Sequence, residues 1–173
     1  MCKNTVKHPS SKISIKMINK LSSNTNKKIL QKLIEIHKKC ISITNSQFYE
    51  QEQINEWLST IKIENIEEQL DSTTWIIIKN NKKILGFAQY CLKDKEIYQI
   101  QIDPDEQGKG YGRELFNYIE NDFRINKIKQ ISLLATLNAV QFYENLGFHI
   151  IKEIKFPLVK TKIKMIKMSK ELI

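Results

Sequence analysis

Three of the chain's five glycines, Gly108, Gly110 and Gly112, fall within five consecutive positions. They follow an alternating segment, EIYQIQI over 96–102, and a short acidic turn, DPDE. They precede a run in which Leu115, Phe116, Ile119 and Phe123 recur at helical spacing. Glycine is used where the backbone needs positive φ or where another group must approach closely. A helix N-terminus presents N–H groups that have no intrahelical acceptor, and it favours an anion. The stretch from Glu96 to Asn121 therefore predicts strand, turn, anion-binding loop and helix, and the remaining segments read as its support.

Upstream, Lys12–Asn19 alternates Ile13, Ile15 and Met17 with polar residues and predicts a half-buried strand. Asn24 or Asn26 can cap a helix whose buried stripe is Ile29, Leu33, Ile36 and Cys40. A second helix is predicted over Glu50–Ile61, followed by a helical turn over Glu64–Leu70. The period then changes. Thr74–Lys79 and Ile84–Leu92 read as two strands joined at Asn80–Lys82, and a further turn at Lys93–Lys95 leads into the segment before the glycines. Downstream, Gln130–Thr136 is apolar enough for a central parallel strand. Asn138 can cap a helix with Ala139, Phe142, Tyr143 and Leu146 facing inward, closed by Gly147. Phe148–Phe156 and Thr161–Ser169 complete the pattern as two strands around Pro157. The expected fold is one α/β domain over residues 1–173, with 1–11 as a polar, poorly ordered lead-in.

The chain carries a net charge of +9 and a pI near 9.4. The cations are almost all lysines; Arg113 and Arg124 are the only arginines. Arginine forks, which carry much base recognition, are nearly absent, so the charge argues poorly for nucleic acid and is compatible with a phosphorylated ligand. No apolar run approaches the roughly 20 residues needed to cross a bilayer. Cys2, Cys40 and Cys91 form no CxxC pair. They predict no disulfide framework and no metal site, and a cytoplasmic location is the simplest home for such thiols. His37 and His149 have no metal-spaced partner either.

Three anion chemistries compete for the loop. A P-loop needs Lys-Ser/Thr after its last glycine, whereas Gly112 is followed by Arg113 and Glu114. A dinucleotide fingerprint wants GxGxxG in an opening βαβ unit, and the GxGxG here comes after hairpins. The third is a pyrophosphate carrying an elongated arm that lies along the preceding strand.

The residues Gln107-Gly108-Lys109-Gly110-Tyr111-Gly112 resemble the Q/R-x-x-G-x-G/A motif of the GNAT superfamily of N-acetyltransferases. The segment Asn138-Ala139-Val140-Gln141-Phe142-Tyr143-Glu144-Asn145-Leu146-Gly147-Phe148 resembles the family's N-A-x-x-F-Y-x-x-x-G-F stretch, in the family's order and spacing. The resemblance covers about Lys12 to Lys170 and is weakest between Thr44 and Leu70. It implies a GNAT fold: a mixed sheet of about six to seven strands with an antiparallel N-terminal meander, a splayed parallel pair at the centre and about four helices. It also implies acetyl-CoA as co-substrate and no metal.

By the same resemblance, the N–H groups from Gly108 to Gly112 cradle the pyrophosphate, with Lys109 and Arg113 as candidate cations and Tyr111 in the same loop. Gln107 steers the loop and can reach a phosphate oxygen. Ile100 and Ile102 pair with the pantetheine amides, and the N–H of Ile102 also polarises the thioester carbonyl. Asn138 holds the pantetheine arm, with Phe142 beside it. A β-carbon at Gly110 or Gly112 would crowd the phosphates or the helix–strand contact. Tyr143 matches the residue that protonates the departing thiolate; read from its spacing alone, it is a packed core aromatic.

The base is open. Glu96 lies eleven residues before Gln107, where histone-type members carry a glutamate. A water chain held by Tyr98, Gln99 and Gln101 is the alternative. Tyr49, Trp57 and Phe156 are candidate walls for the acceptor. The expected activity is acetyl transfer to a primary amine, on a small molecule or a protein, through a direct ternary complex. Two alternatives remain: a CoA-binding sensor or interaction module with little catalysis, and acetylation of a macromolecule such as a protein amine or a charged tRNA. No membrane association is expected, nucleic acid is disfavoured as a partner, and a homodimer is compatible with the sequence.

Overall fold

The computed structural model of the protein describes residues 16–172. Their alternating segments form seven strands: β1 (Lys16–Lys20), β2 (Thr74–Asn80), β3 (Lys83–Cys91), β4 (Glu96–Ile102), β5 (Gln130–Thr136), β6 (His149–Pro157) and β7 (Lys162–Glu171). They make one sheet in the order β1-β2-β3-β4-β5-β7-β6. The first four strands form an antiparallel meander, and β4–β5 is the one parallel pair among the described residues. Of the first predicted strand, Ile13 and Ile15 lie outside the described residues, as do Cys2 and the lead-in 1–11.

Five α-helices accompany the sheet: α1 (Lys27–Lys39), α2 (Gln51–Thr60), α3 (Ile63–Gln69), α4 (Tyr111–Ile125) and α5 (Val140–Glu144). The helical turn predicted at Glu64–Leu70 is the helix α3, two turns long. None of these helices is long and apolar enough to cross a membrane.

The run TWIIIK is rich in β-branched residues, with three consecutive isoleucines, because both faces of β2 are covered. Ile76 and Ile78 pack against Leu115, Phe116, Ile119 and Phe123 of α4. Trp75 and Ile77 face the other way, against Leu30, Leu33 and Ile36 of α1. At the end of α1 the chain does not open into a loop. It continues through a wide π-helical turn, Cys40–Thr44, and a 3₁₀ turn, Asn45–Gln47. Lys39 anchors this corner to the end of β4, reaching Asp103 at 2.7 Å and Asp105 at 2.6 Å.

The sheet is interrupted at its centre. β4 and β5 pair only at Glu96↔Ser132 and Ile97↔Leu133. Beyond these β5 runs alongside β7, and β4 stays with β3 through a bulge opposite Gln89 and Tyr90. The two parallel strands thus splay apart towards their C-terminal ends.

Candidate active site

The splay opens a cavity of about 850 Å³ that passes between the faces of the sheet. One wall is β4. Asp103 N–H donates to Leu85 O at 2.9 Å, so residues 101 and 103 hydrogen-bond towards β3. By the alternation of an antiparallel ladder, Ile100 and Ile102 direct their N–H and C=O groups to the opposite side, where β5 has diverged. The carbonyl of Ile102 is occupied: Cys40 Sγ donates to it at 3.2 Å and Gln107 Nε2 at 3.1 Å. Burial pushes the Cys40 thiol up to about 12, which keeps it protonated.

The glycine loop forms the mouth. Gly108 and Gly110 have φ of 77° and 88°, and a β-carbon on either would meet nothing within 4 Å. Backbone conformation, rather than crowding by the protein, requires glycine there. Gly112 differs: a β-carbon would stand 3.1 Å from Cζ of Phe142. The tightest contact that the glycine permits is therefore with an α5 ring, and Cγ1 of Ile102 on β4 follows at 3.8 Å. No side chain caps α4, and its first intrahelical bond runs from Glu114 N–H to Gly110 O. The preceding N–H groups face the mouth of the cavity without an intrahelical acceptor.

Tyr111 and Arg113 line the cavity, but Lys109 does not. Its ammonium is held by Glu106 at 2.8 Å and by the carbonyl of Asp105 at 3.2 Å. Glu106 is buried and also takes Lys83 at 2.5 Å, so Lys109 is tied to a carboxylate beneath the loop and does not reach into the cavity. The amide of Gln107, expected at a phosphate, is committed to Ile102.

Across the splay, Leu134, Thr136, Asn138, Phe142 and Tyr143 line the cavity. Asn138 is not an N-cap. It sits in a 3₁₀ turn, Leu137–Ala139, and α5 starts after Ala139 without a side-chain cap. Its Oδ1 is buried without a hydrogen-bond donor among the described residues. Tyr143 is 6% exposed, wedged edge-on between Phe142 (5.1 Å) and Phe148 (5.6 Å). Its hydroxyl makes no hydrogen bond among the described residues, and burial raises its pKa.

Glu96 lines the same cavity from the start of β4. Burial raises its pKa, against the pull of Lys167 and with the help of Asp94. Trp57 and Phe156 are also in the lining. Tyr49 is not. Its hydroxyl donates to Lys164 O at 2.8 Å and accepts from Leu137 N–H at 3.0 Å, tying the segment before α2 to β7 and to the end of β5. Tyr49 thus braces the cavity from behind, edge-on to Trp57 at 5.9 Å. Glu56 of α2 similarly accepts from Lys160 N–H and from the N–H and hydroxyl of Thr161. The cavity also includes His37, Asn45, Gln69 and Gln89, none of which stands in a short-range motif.

The model of the acetyltransferase (GNAT) domain matches residues 45–172. The chain belongs to the GNAT acetyltransferase family. With it the chain is an acyltransferase, and the splayed β4–β5 pair is the centre of a GNAT fold. This GNAT chain is 28% identical over 155 residues to the uncharacterized N-acetyltransferase ycf52 of Pyropia yezoensis, covering 73% of the chain and 86% of that protein. In fold it is similar to a GCN5-related N-acetyltransferase from Rhodopseudomonas palustris, with TM-score 0.82 at 18% identity over 90% of this chain and 95% of the other. It is also similar to the PaiA N-acetyltransferase of Thermoplasma acidophilum solved with coenzyme A, with TM-score 0.73 at 18% identity over 91% and 99%.

Proposed function

We propose that the protein transfers an acetyl group from acetyl-CoA to a primary amine by direct attack within a ternary complex. The observation that carries this reading is the splay: Ile100 and the N–H of Ile102 offer strand-like backbone groups to a gap that ends at an uncapped helix N-terminus. An extended diamide arm with a pyrophosphate at one end matches both features. The buried Oδ1 of Asn138 supports the fit, because it lacks the donor that an amide N–H of the arm would supply.

Acetyl-CoA supplies an activated acyl group and a thiolate leaving group. The loop N–H groups from Gly108 to Gly112, with Arg113, hold the pyrophosphate, and Tyr111 and Phe142 flank the arm. The N–H of Ile102 polarises the carbonyl. Transfer forms the C–N bond of the amide and breaks the C–S bond. One proton leaves the amine and one is taken up at sulfur. Glu96 receives the first, directly or through water, and its raised pKa brings it closer to the range useful to a base. Tyr143 donates to the sulfur. Burial keeps its phenol protonated until a thiolate develops. Trp57 and Phe156 wall the acceptor side. We place this activity in the cytoplasm, a reading supported by the free, buried thiols of Cys40 and Cys91.

The test is calorimetric titration with acetyl-CoA, followed by thiol release across a panel of primary amines and lysine peptides. Saturable binding with amine-dependent thiol release is expected, with Glu96→Gln slowing turnover most at neutral pH. Binding without release on any amine would favour the sensor reading, and no binding would overturn both.

A further inference from the structure

The acceptor side of the cavity contains a hydrogen-bond chain with one open end. Trp75, Gln89 and Gln99 stand abreast on β2, β3 and β4, since Trp75 pairs with Gln89 and Gln89 with Gln99. All three line the cavity, on the face covered by α1 and α3.

The direction of the chain is set at its far end. The Thr73 hydroxyl donates to the carbonyl of Gln69 at 2.9 Å, so its oxygen is left to accept. Gln89 Nε2 fills that role at 3.1 Å and gives its other hydrogen to Gln69 Oε1 at 2.6 Å. The Gln89 amide is thereby oriented with Oε1 towards Gln99, whose Nε2 donates to it at 3.0 Å. Gln99 Oε1 must then be the remaining terminus. It is buried and has no donor among the described residues. Trp75 Nε1, at the other end of the row, is buried without an acceptor. A buried carbonyl oxygen left without a donor forfeits its hydration, and a side-chain network held in one orientation up to such an oxygen is a prepared binding point.

We propose that Gln99 is an acceptor-binding residue whose Oε1 takes an N–H or O–H that the acceptor carries beside its reactive amine. The inference rests on the acetyltransferase reading of the cavity and names the acceptor class: diamines, amino alcohols or amino amides, and not amines flanked by a carboxylate. A carboxamide oxygen repels a carboxylate, and Glu96 lines the same cavity with negative charge of its own. Lys62 and Arg113 also line the cavity and Lys167 of β7 acts on Glu96, so the discrimination against a carboxylate is set at Gln99 Oε1 itself, which can only accept.

The probes are four amines of equal chain length: 3-aminopropan-1-ol, 1,3-diaminopropane, propylamine and β-alanine. Each is titrated into the CoA-saturated protein while the Gln99 side-chain amide and the Trp75 indole N–H are followed by NMR. Saturable shifts are expected with the first two at concentrations at least fivefold below those needed for propylamine, and β-alanine should be weakest. Gln99→Met should erase the advantage of 3-aminopropan-1-ol over propylamine and leave CoA affinity unchanged. Gln99→Leu, which likewise carries no accepting oxygen, should lose the same advantage, so a misfolded methionine variant does not remove the test. Equal response to all four amines, no response to any, or an undiminished preference in Gln99→Met would overturn the proposal. If CoA itself fails to bind, the acetyl-CoA reading falls instead, whereas CoA saturation with indifference among the amines overturns this inference alone.

Discussion

The side-chain amide of Gln107 donates to the carbonyl oxygen of Ile102 at 3.1 Å, closing the acidic turn that separates β4 from the glycine loop. The thiol of Cys40 reaches the same oxygen from the π-helical turn that follows α1. One carbonyl thus joins the strand proposed to carry the pantetheine arm, the loop proposed to hold the pyrophosphate, and the helix behind them.

Gln107→Leu removes the loop's half of this junction. A neutral hydrogen bond contributes about 1 kcal/mol, so acetyl-CoA affinity should fall about fivefold. The acceptor KM should stay nearly constant. Calorimetry with acetyl-CoA and steady-state kinetics with the acceptor separate the two effects.

The loop glycines should respond differently to substitution. Gly110 lies at φ 88° in open space, so Gly110→Val should cost about 1–3 kcal/mol in backbone strain, and Gly110→Asn should be milder. Gly112→Ala meets the Phe142 ring at 3.1 Å and should act by displacing that ring. Thermal melts with and without CoA report both. For Gly112→Ala, loss of CoA affinity should exceed loss of stability.

Tyr49→Phe leaves the N–H of Leu137 and the carbonyl of Lys164 without their shared partner. A loss of about 0.5–1.5 kcal/mol is expected from the lost hydrogen bonds, measurable by denaturant unfolding. Acetyl-CoA affinity should change little.

His37 sits on α1 against Phe87, with ring centroids 6.2 Å apart. Burial pushes its pKa down to about 4. In the unfolded chain it titrates near 6.5. The folded value is the lower of the two, so the stability linked to neutral His37 is fully present above about 6.5 and declines as pH falls towards about 4. His37→Gln should flatten the stability–pH curve in that window, as read by urea midpoints across pH.

What was legible in the sequence was local. The glycine spacing and the segment Asn138–Phe148 are contiguous, and the strands and helices that present them follow from period and β-branching. Gln89 and Gln99 were not legible as partners, because sheet register brings them together and Gln69 and Thr73 join from the end of α3. Lys109 reads as loop charge until Glu106, buried three residues earlier, is seen to hold it. Tyr49 reads as an acceptor wall because an aromatic in a loop carries no mark of where its hydroxyl goes. Asn138 has the composition of a cap, but the 3₁₀ turn around it leaves its oxygen to the cavity.

The splayed site is proposed to perform acetyl transfer with Tyr143 as the proton donor to sulfur. The most direct measurement is a comparison of wild type and Tyr143→Phe with one amine that the wild type accepts, taking kcat from thiol release and Kd for acetyl-CoA from calorimetry. The buried ring makes its packing contacts in either variant, so kcat should fall on the order of a hundredfold while Kd stays within about twofold. An unchanged kcat, or equal losses in kcat and in acetyl-CoA affinity, would rule out that role for Tyr143.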